Sequence, residues 1–275
     1  MADGIPFWDG GRTVIMGVLN VTPDSFSDGG EYSSIPAAVA YGFEMVEQGA
    51  NLIDVGGEST RPGAQPVPVT VELNRVLPVI AGLVTGGARV SIDTRRPEVA
   101  SAALAEGAVV VNDVSGLSHP EMVMAVAATS AGVVIMHMQG DPSTMQDSPH
   151  YQNVVEEVRA YLVERAVAAE AAGISRDRIA IDPGIGFGKR LEHNLDLLRN
   201  LSQFVDTGYP VLLGTSRKGF LGKILADSGP PAGRDPATAA TVALAIREGV
   251  AIVRVHNVAM TAQIARTVEA IRGSI

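Results

Sequence analysis

The stretch that decides the fold is Pro97-Glu98-Val99-Ala100-Ser101-Ala102-Ala103-Leu104-Ala105-Glu106-Gly107-Ala108-Val109-Val110-Val111-Asn112-Asp113. Residues 97–106 read as a helix, with Pro97 in the first turn, where its missing N–H is not needed. Gly107 then stands where a left-handed residue ends a helix without a Cβ penalty. Residues 108–111 run apolar without alternation, as a strand buried on both faces does. The run stops abruptly at a carboxamide and a carboxylate.

Working outward, the same unit recurs along the 275 residues. Strands are predicted at 13–19, 51–55, 89–92, 108–111, 132–136, 178–181, 210–213 and 251–255. Helices are predicted at 35–48, 69–83, 97–106, 121–130, 153–172, 191–204, 237–248 and 259–272, with Pro78 interrupting the second of them. Gly49, Gly107, Gly173, Gly208 and Gly249 each stand between a helix and the next strand. About eight such strands close an α/β (β/α)8 TIM barrel, read here as one domain over 1–275. An open doubly wound sheet fits the same pattern, and strand order separates the two. The segments after strands are long, at 20–34, 56–68, 137–150 and 214–219, and in a barrel such loops build the active site. Residues 226–236 read as an insertion near the seventh helix.

Composition narrows the classes. With 46% hydrophobic and 19% charged residues the chain is expected to fold compactly. A net charge of -9, from 21 basic and 30 acidic residues with no basic run, argues against a nucleic-acid partner. The absence of Cys excludes disulfides, thiolate nucleophiles and Cys-ligated zinc. No signal-like start and no apolar run of about 20 residues is seen, so the expectation is a cytoplasmic protein with no membrane contact.

The strand ends carry the chemistry. They read Asn20, Asp54, Asp93, Asn112-Asp113, His137, Asp182, Ser216-Arg217-Lys218, and Arg254 with His256. Such groups at buried strand ends are costly unless paired or liganded. Each also has a plainer reading: Asp54, Asp113 and Asp182 as turn caps, Asp93 as a helix-start device, and His137 and His256 as hydrogen-bonded core histidines. Lys218 before a helix opposes the helix dipole, a conflict that a bound anion would answer. The Gly-rich run 182–189 is neither a phosphate-binding P-loop nor a dinucleotide fingerprint. No catalytic triad and no His-x-x-x-His metal pair stands out.

Taken together, these motifs resemble one family. Met16-Gly17-Val18-Leu19-Asn20-Val21-Thr22-Pro23-Asp24-Ser25-Phe26-Ser27-Asp28-Gly29-Gly30 and Asp54-Val55-Gly56-Gly57-Glu58-Ser59-Thr60-Arg61-Pro62-Gly63 are similar to the two signatures of the dihydropteroate synthases. Ser91 to Thr94, Asn112 to Gly116, Met136 to Gly140, Asp182 to Lys189, Ser216-Arg217-Lys218 and Arg254-Val255-His256 follow in family order. The resemblance implies a magnesium-dependent, cytoplasmic, sulfonamide-sensitive transferase of folate biosynthesis, commonly a homodimer. It would join 6-hydroxymethyl-7,8-dihydropterin pyrophosphate to 4-aminobenzoate, by loss of the leaving group and then attack of the amine.

The resemblance also assigns residues. Asp93, Asn112, Met136, Asp182 and Lys218 match pterin-binding positions. Asn20, Arg61, Arg254 and His256 match the pyrophosphate side, with Asn20 as the magnesium ligand. Thr60, Pro62, Phe187, Ser216 and Lys218 match the aminobenzoate pocket. Asp93, Lys218 and Asp24 match the catalytic positions. One departure is Asn257, where Asp commonly follows the His of the last motif. Two rival expectations stand beside this one: a methyltetrahydrofolate corrinoid methyltransferase, which would not need the cations Arg61, Lys218, Arg254 and His256, and a pterin-binding subunit without catalysis.

Overall fold

A computed structural model describes residues 8, 11–22, 34–60 and 63–273. Its strands are β1 (Val14–Asn20), β2 (Leu52–Gly56), β3 (Val90–Asp93), β4 (Val110–Asp113), β5 (Gly132–Met136), β6 (Ile179–Asp182), β7 (Leu212–Leu213) and β8 (Ile252–Val255). They pair in parallel in the order β6-β5-β4-β3-β2-β1-β8-β7. A parallel bridge between Ile181 and Val211 joins the two ends, and the Ile181 N–H donates to Pro210 O at 2.9 Å. The sheet therefore closes on itself into a (β/α)8 barrel, and the open doubly wound alternative falls away.

Helices cover the outside: α1 (Ile35–Gln48), α2 (Val69–Thr85), α3 (Pro97–Ala105), α4 (Pro120–Ala127), α5 (Val154–Ala171), α6 (Leu191–Arg199), α7 (Leu201–Val205), α8 (Gly219–Leu225), α9 (Asp235–Arg247) and α10 (Val258–Arg272). Pro78 does not break α2, because it lies on the exposed side of the helix, as does Asn74, whose carbonyl it leaves unpaired. The helix expected over 191–204 is divided at Asn200. That side chain donates to Asp196 O at 2.8 Å and competes with the helix's own ladder. The loop expected at 214–219 runs directly into α8, so a helix does start after Lys218, although the expected helices gave it no range.

The strands put apolar residues on both faces. Outward residues such as Ile53, Val111, Ile135 and Val253 pack with the helices into the main core. Inward residues Val14, Met16, Leu52, Val110, Val134, Ala180, Leu212 and Ile252 fill the barrel, with Trp8 buried among them. Trp8 Nε1 donates to Asp177 O at 2.8 Å, and a Cβ on Gly132 would lie only 2.2 Å from the indole ring. A strand repeats its facing every two residues. Two positions beyond Leu52, Val110, Val134, Ala180 and Ile252 stand Asp54, Asn112, Met136, Asp182 and Arg254. The next inward layer is thus mainly polar, and it forms the floor of the open end.

Candidate active site

The floor is built around Arg254. Its Nε donates to Asp54 Oδ2 at 2.6 Å and its Nη2 to Asp93 Oδ2 at 2.7 Å. Asp54 Oδ2 also accepts from Asn112 Nδ2 at 3.0 Å. Burial alone would lower the pKa of the guanidinium, but the charges of Asp54 and Asp93 hold it above its ordinary value. Burial pushes the Asp93 carboxyl up to about 7, against the pull of Arg254. Asp54 Oδ1 and Asp93 Oδ1 are buried and have no hydrogen-bond partner. Asp93 thus keeps an acceptor in reserve beneath the opening.

Opposite lies a lysine pair. The Lys218 ammonium donates to Ile185 O and sits 4.6 Å from the centre of the Phe187 ring. Burial lowers its pKa to about 8, opposed chiefly by Asp182. Lys189 is buried and donates to His137 Nδ1 at 3.0 Å, to His137 O at 3.2 Å and to Phe187 O at 2.9 Å. Burial lowers it to about 7. His137 is held as a neutral acceptor, its pKa driven down to about 3 by burial and by Lys189. The Asp182 carboxyl is raised by burial, with Lys218 and the Gly184 N–H, at 2.7 Å from Oδ1, working against the rise. Gly184 has φ +66, and a Cβ there would lie 1.9 Å from His137 O, so this turn admits only glycine. Asp54, Asp93 and Asp182 face Arg254, Lys218 and Lys189, which balances the buried charge.

The rim follows. Ser216 Oγ lies 2.9 Å from His256 Nδ1 and accepts the His256 backbone N–H at 3.1 Å. Beside it Arg217, at φ +58, makes a two-point contact with Asp235 at 2.7 and 2.9 Å. Asn257 Nδ2 donates to Asp235 Oδ2 at 3.0 Å, and its Oδ1 caps α10 by accepting from Met260 N at 3.1 Å. On the second loop, Glu58 ties Arg95 at 3.1 Å, Arg96 at 2.7 Å and the Val67 N–H at 2.9 Å. Both ends of the loop that carries the half-buried Thr60 are therefore anchored. Asp24, Arg61 and Pro62 lie outside the described residues.

Asn20 ends β1, half-buried. A Cβ added at Gly56 would stand 3.5 Å from Asn20 Oδ1 and 3.7 Å from Asp93 Oδ2, so both oxygens converge where the glycine leaves room. Among the described residues no cluster of three or more metal-ligating His, Cys, Asp or Glu exists. One amide oxygen at an open rim suits an ion that takes most of its ligands from water and substrate phosphates, as magnesium does. No helix among the described residues is long and apolar enough to cross a membrane.

Several plain readings are now settled. Asp113 is a loop cap, accepting Ser115 N–H at 2.7 Å and Leu117 N–H at 2.9 Å. Asp93 does not cap α3, whose first turn carries no side-chain cap. Asp182 does fix a turn, through Gly184, while also facing the pocket. Asp54 caps nothing and is the hub of the floor. Lys218 escapes the conflict with the α8 dipole by turning its ammonium toward Ile185 and Phe187. Lys189 is the residue that sequence reasoning passed over, although it ends the glycine-rich run quoted above.

Comparison with known proteins agrees with this geometry. The pattern of the family described as "Pterin binding enzyme" matches residues 16–256. The dihydropteroate synthase of Escherichia coli strain K12 is 44% identical over 257 residues, covering 93% of this chain and 90% of the relative. A Xanthomonas albilineans dihydropteroate synthase solved with 4-aminobenzoic acid superposes with a TM-score of 0.89 at 47% identity, covering 96% of this chain and 94% of that one. The enzyme of that organism in complex with 7,8-dihydropteroate superposes at 0.85 and 43% identity, covering 96% and 95%. On these grounds the chain belongs to the dihydropteroate synthase family of pterin-binding enzymes.

Proposed function

We propose that the open end of this barrel joins 6-hydroxymethyl-7,8-dihydropterin pyrophosphate to 4-aminobenzoate, releasing 7,8-dihydropteroate and pyrophosphate. One observation carries the reading: Asp93, Asn112 and Asp182 converge on one floor, and Asp93 keeps a buried oxygen without a partner. A pterin presents a paired donor edge and ring acceptors. Asp182 accepts from the donor edge, Asn112 offers both donor and acceptor, and Lys218 serves a ring acceptor. Met136, the register partner of Asp182, forms apolar floor beside them.

The chemistry then needs little from acids or bases. The bond from the pterin methylene carbon to the diphosphate oxygen breaks, and its electron pair leaves with the diphosphate. Arg254, His256 and Arg61 hold the departing anion. The ionised Asp93 carboxylate stabilises the cationic carbon, with Asp24 as a second candidate. The aniline nitrogen, already unprotonated near neutral pH, attacks that carbon and afterwards loses one proton. Thr60, Phe187 and Ser216 line the aminobenzoate side, to which the family resemblance also assigns Pro62, and Lys218 over the Phe187 ring offers the aminobenzoate carboxylate a cation. Asn20 would hold magnesium together with phosphate oxygens, and the ion would neutralise charge on the diphosphate. Homodimer assembly and a cytoplasmic setting follow from the same resemblance, and light scattering tests the first.

Purified protein is to be assayed with both substrates, with and without magnesium. Dihydropteroate and pyrophosphate are expected in equal amounts. Pterin binding without pyrophosphate release sinks the proposal in favour of a non-catalytic subunit. Methyl transfer to a corrinoid protein would favour the methyltransferase.

A further inference from the structure

We infer that Lys189 is a positioning residue for the aminobenzoate side: its ammonium fastens the glycine-rich loop 183–188 to the end of β5 and so holds the Phe187 ring in place. The inference rests on the function proposed above only for the ligand that meets the ring, not for the fastening. A lysine ammonium has three hydrogens and can only donate. Lys189 is buried and has three acceptors in reach: His137 Nδ1 at 3.0 Å, His137 O at 3.2 Å and Phe187 O at 2.9 Å. Two belong to the residue that follows β5, and the third to the residue that carries the ring. One buried cation thus ties a strand end to a loop carbonyl, through bonds stronger than those of a neutral donor. The same contacts give His137 a role, because its ring and its carbonyl seat the ammonium.

The loop needs such a hold. Gly184, Gly186 and Gly188 all stand at positive φ, so the chain between Asp182 and Lys189 has little stiffness of its own. What fixes it is a donor for each successive carbonyl. Gly184 O accepts the Phe187 N–H at 3.1 Å, and Ile185 O accepts the Lys218 ammonium. Gly186 O accepts Gln146 Nε2 at 2.7 Å, Phe187 O accepts Lys189 and Gly188 O accepts the Tyr151 hydroxyl at 2.8 Å. Of these four side chains only Lys189 is buried, and it alone grips the residue whose ring lies 4.6 Å from the Lys218 ammonium. Asp182 is placed by other contacts, its strand pairing with Met136 and the Gly184 N–H at Oδ1. Loss of Lys189 should therefore move the ring more than the pterin carboxylate.

The test combines fluorine NMR with kinetics on the full-length protein. The chain carries 6 Phe, labelled as 4-fluorophenylalanine, and the Phe187 signal is identified from the F187L spectrum. A single narrow Phe187 resonance is expected in the ligand-free wild type, and a shifted or broadened one in K189M. In K189M the KM for aminobenzoate should rise roughly 10-fold, with kcat and the KM for the pterin substrate within about 3-fold, as loss of one ground-state binding contact requires. The chain has no Cys, so K189C can be alkylated in urea at that one site and refolded. Aminoethylation restores an ammonium and should return the aminobenzoate KM to near wild type, whereas carbamidomethylation should not. An unmoved Phe187 resonance in K189M, equal rises in both KM values, or equal rescue by the two alkyl groups overturns the inference. Should K189M fail to fold, the milder H137L removes one acceptor and must move the same resonance; no movement there also overturns it. A Phe187 response in a protein that forms no dihydropteroate would refute the proposed function and leave the fastening standing.

Discussion

Replacing Asp54 by Asn isolates the charge at the hub of the floor. The Asn oxygen can accept the same two hydrogen bonds, from Arg254 Nε and Asn112 Nδ2. Its NH2 would take the place of Oδ1, which already lacks a partner, so one unsatisfied atom replaces another. What changes is that the ion pair with Arg254 becomes an ion–dipole bond and the bond from Asn112 becomes a neutral one, a loss of about 1 kcal/mol each. Arg254 keeps Asp93 at 2.7 Å and a side chain about one-fifth exposed, so the full cost of a broken buried pair, ~3–5 kcal/mol, does not apply. Relief of repulsion between Asp54 and Asp93 offsets part of the loss. The expected fall in stability is therefore about 1–2 kcal/mol, read from urea unfolding at pH 7.5. The loss in kcat/KM should be larger in effect, roughly 10- to 100-fold. The weakened bonds would hold Arg254 and Asn112 less firmly in place, and displacement of binding groups by an ångström costs about that much. A D54N enzyme within 2-fold of wild type in both kcat/KM and unfolding midpoint would refute the hub role.

Three further outcomes are expected. Gly184→Ala forces a Cβ to within 1.9 Å of His137 O in a left-handed turn, so it should cost at least about 3 kcal/mol, checked by thermal unfolding; the variant should also lose pterin affinity in calorimetry. The pocket's titration should shape stability. Asp93, raised to about 7, contributes stability that is present below 3.8 and lost as pH rises through 7, by at most ~4 kcal/mol. Lys189, lowered to about 7, contributes stability that is present above 10.5 and lost as pH falls toward 7. The wild type minus D93N difference in unfolding free energy should therefore shrink between pH 4 and 7; a flat difference would be inconsistent with a raised Asp93. Finally, Asn257→Asp keeps the cap on α10 and gains a favourable dipole term of about 0.3–1 kcal/mol, but it sets a second carboxylate against Asp235. Stability should stay within about 1 kcal/mol and turnover within about 3-fold, and a larger loss in either would show that the Asp235 brace cannot tolerate the charge.

Strand and helix positions were legible in the chain because their signals are local. Unbroken Val and Ile runs, glycines at helix ends and prolines in first turns act within a few residues, and the observed elements start and stop close to where they were expected. The exceptions are also local in cause but weak in signal: Asn200 divides a helix through one side-chain bond, and α8, whose start after Lys218 was expected, is too short for an apolar period to mark its extent. Sequence also named most of the floor, because polar residues ending apolar strands are conspicuous. Their partners were not legible. Asp54 and Arg254 are 200 positions apart, and Asp93 and Arg254 are 161 apart, so no spacing rule links them.

The sequence by itself determined a barrel-building repeat, an open end rich in acids and cations, and the family whose motifs those residues form. The tertiary structure decided closure, through the Ile181–Val211 bridge, and it decided which carboxylate serves which cation. It made Asp54 the brace of Arg254 and Asn112, Lys189 the buried support of His137, and Ser216 the partner of His256. The physical reason is that burial and pairing are properties of the closed barrel. A carboxylate at a strand end acquires its charge state and its role only when the strands around it fix what it faces.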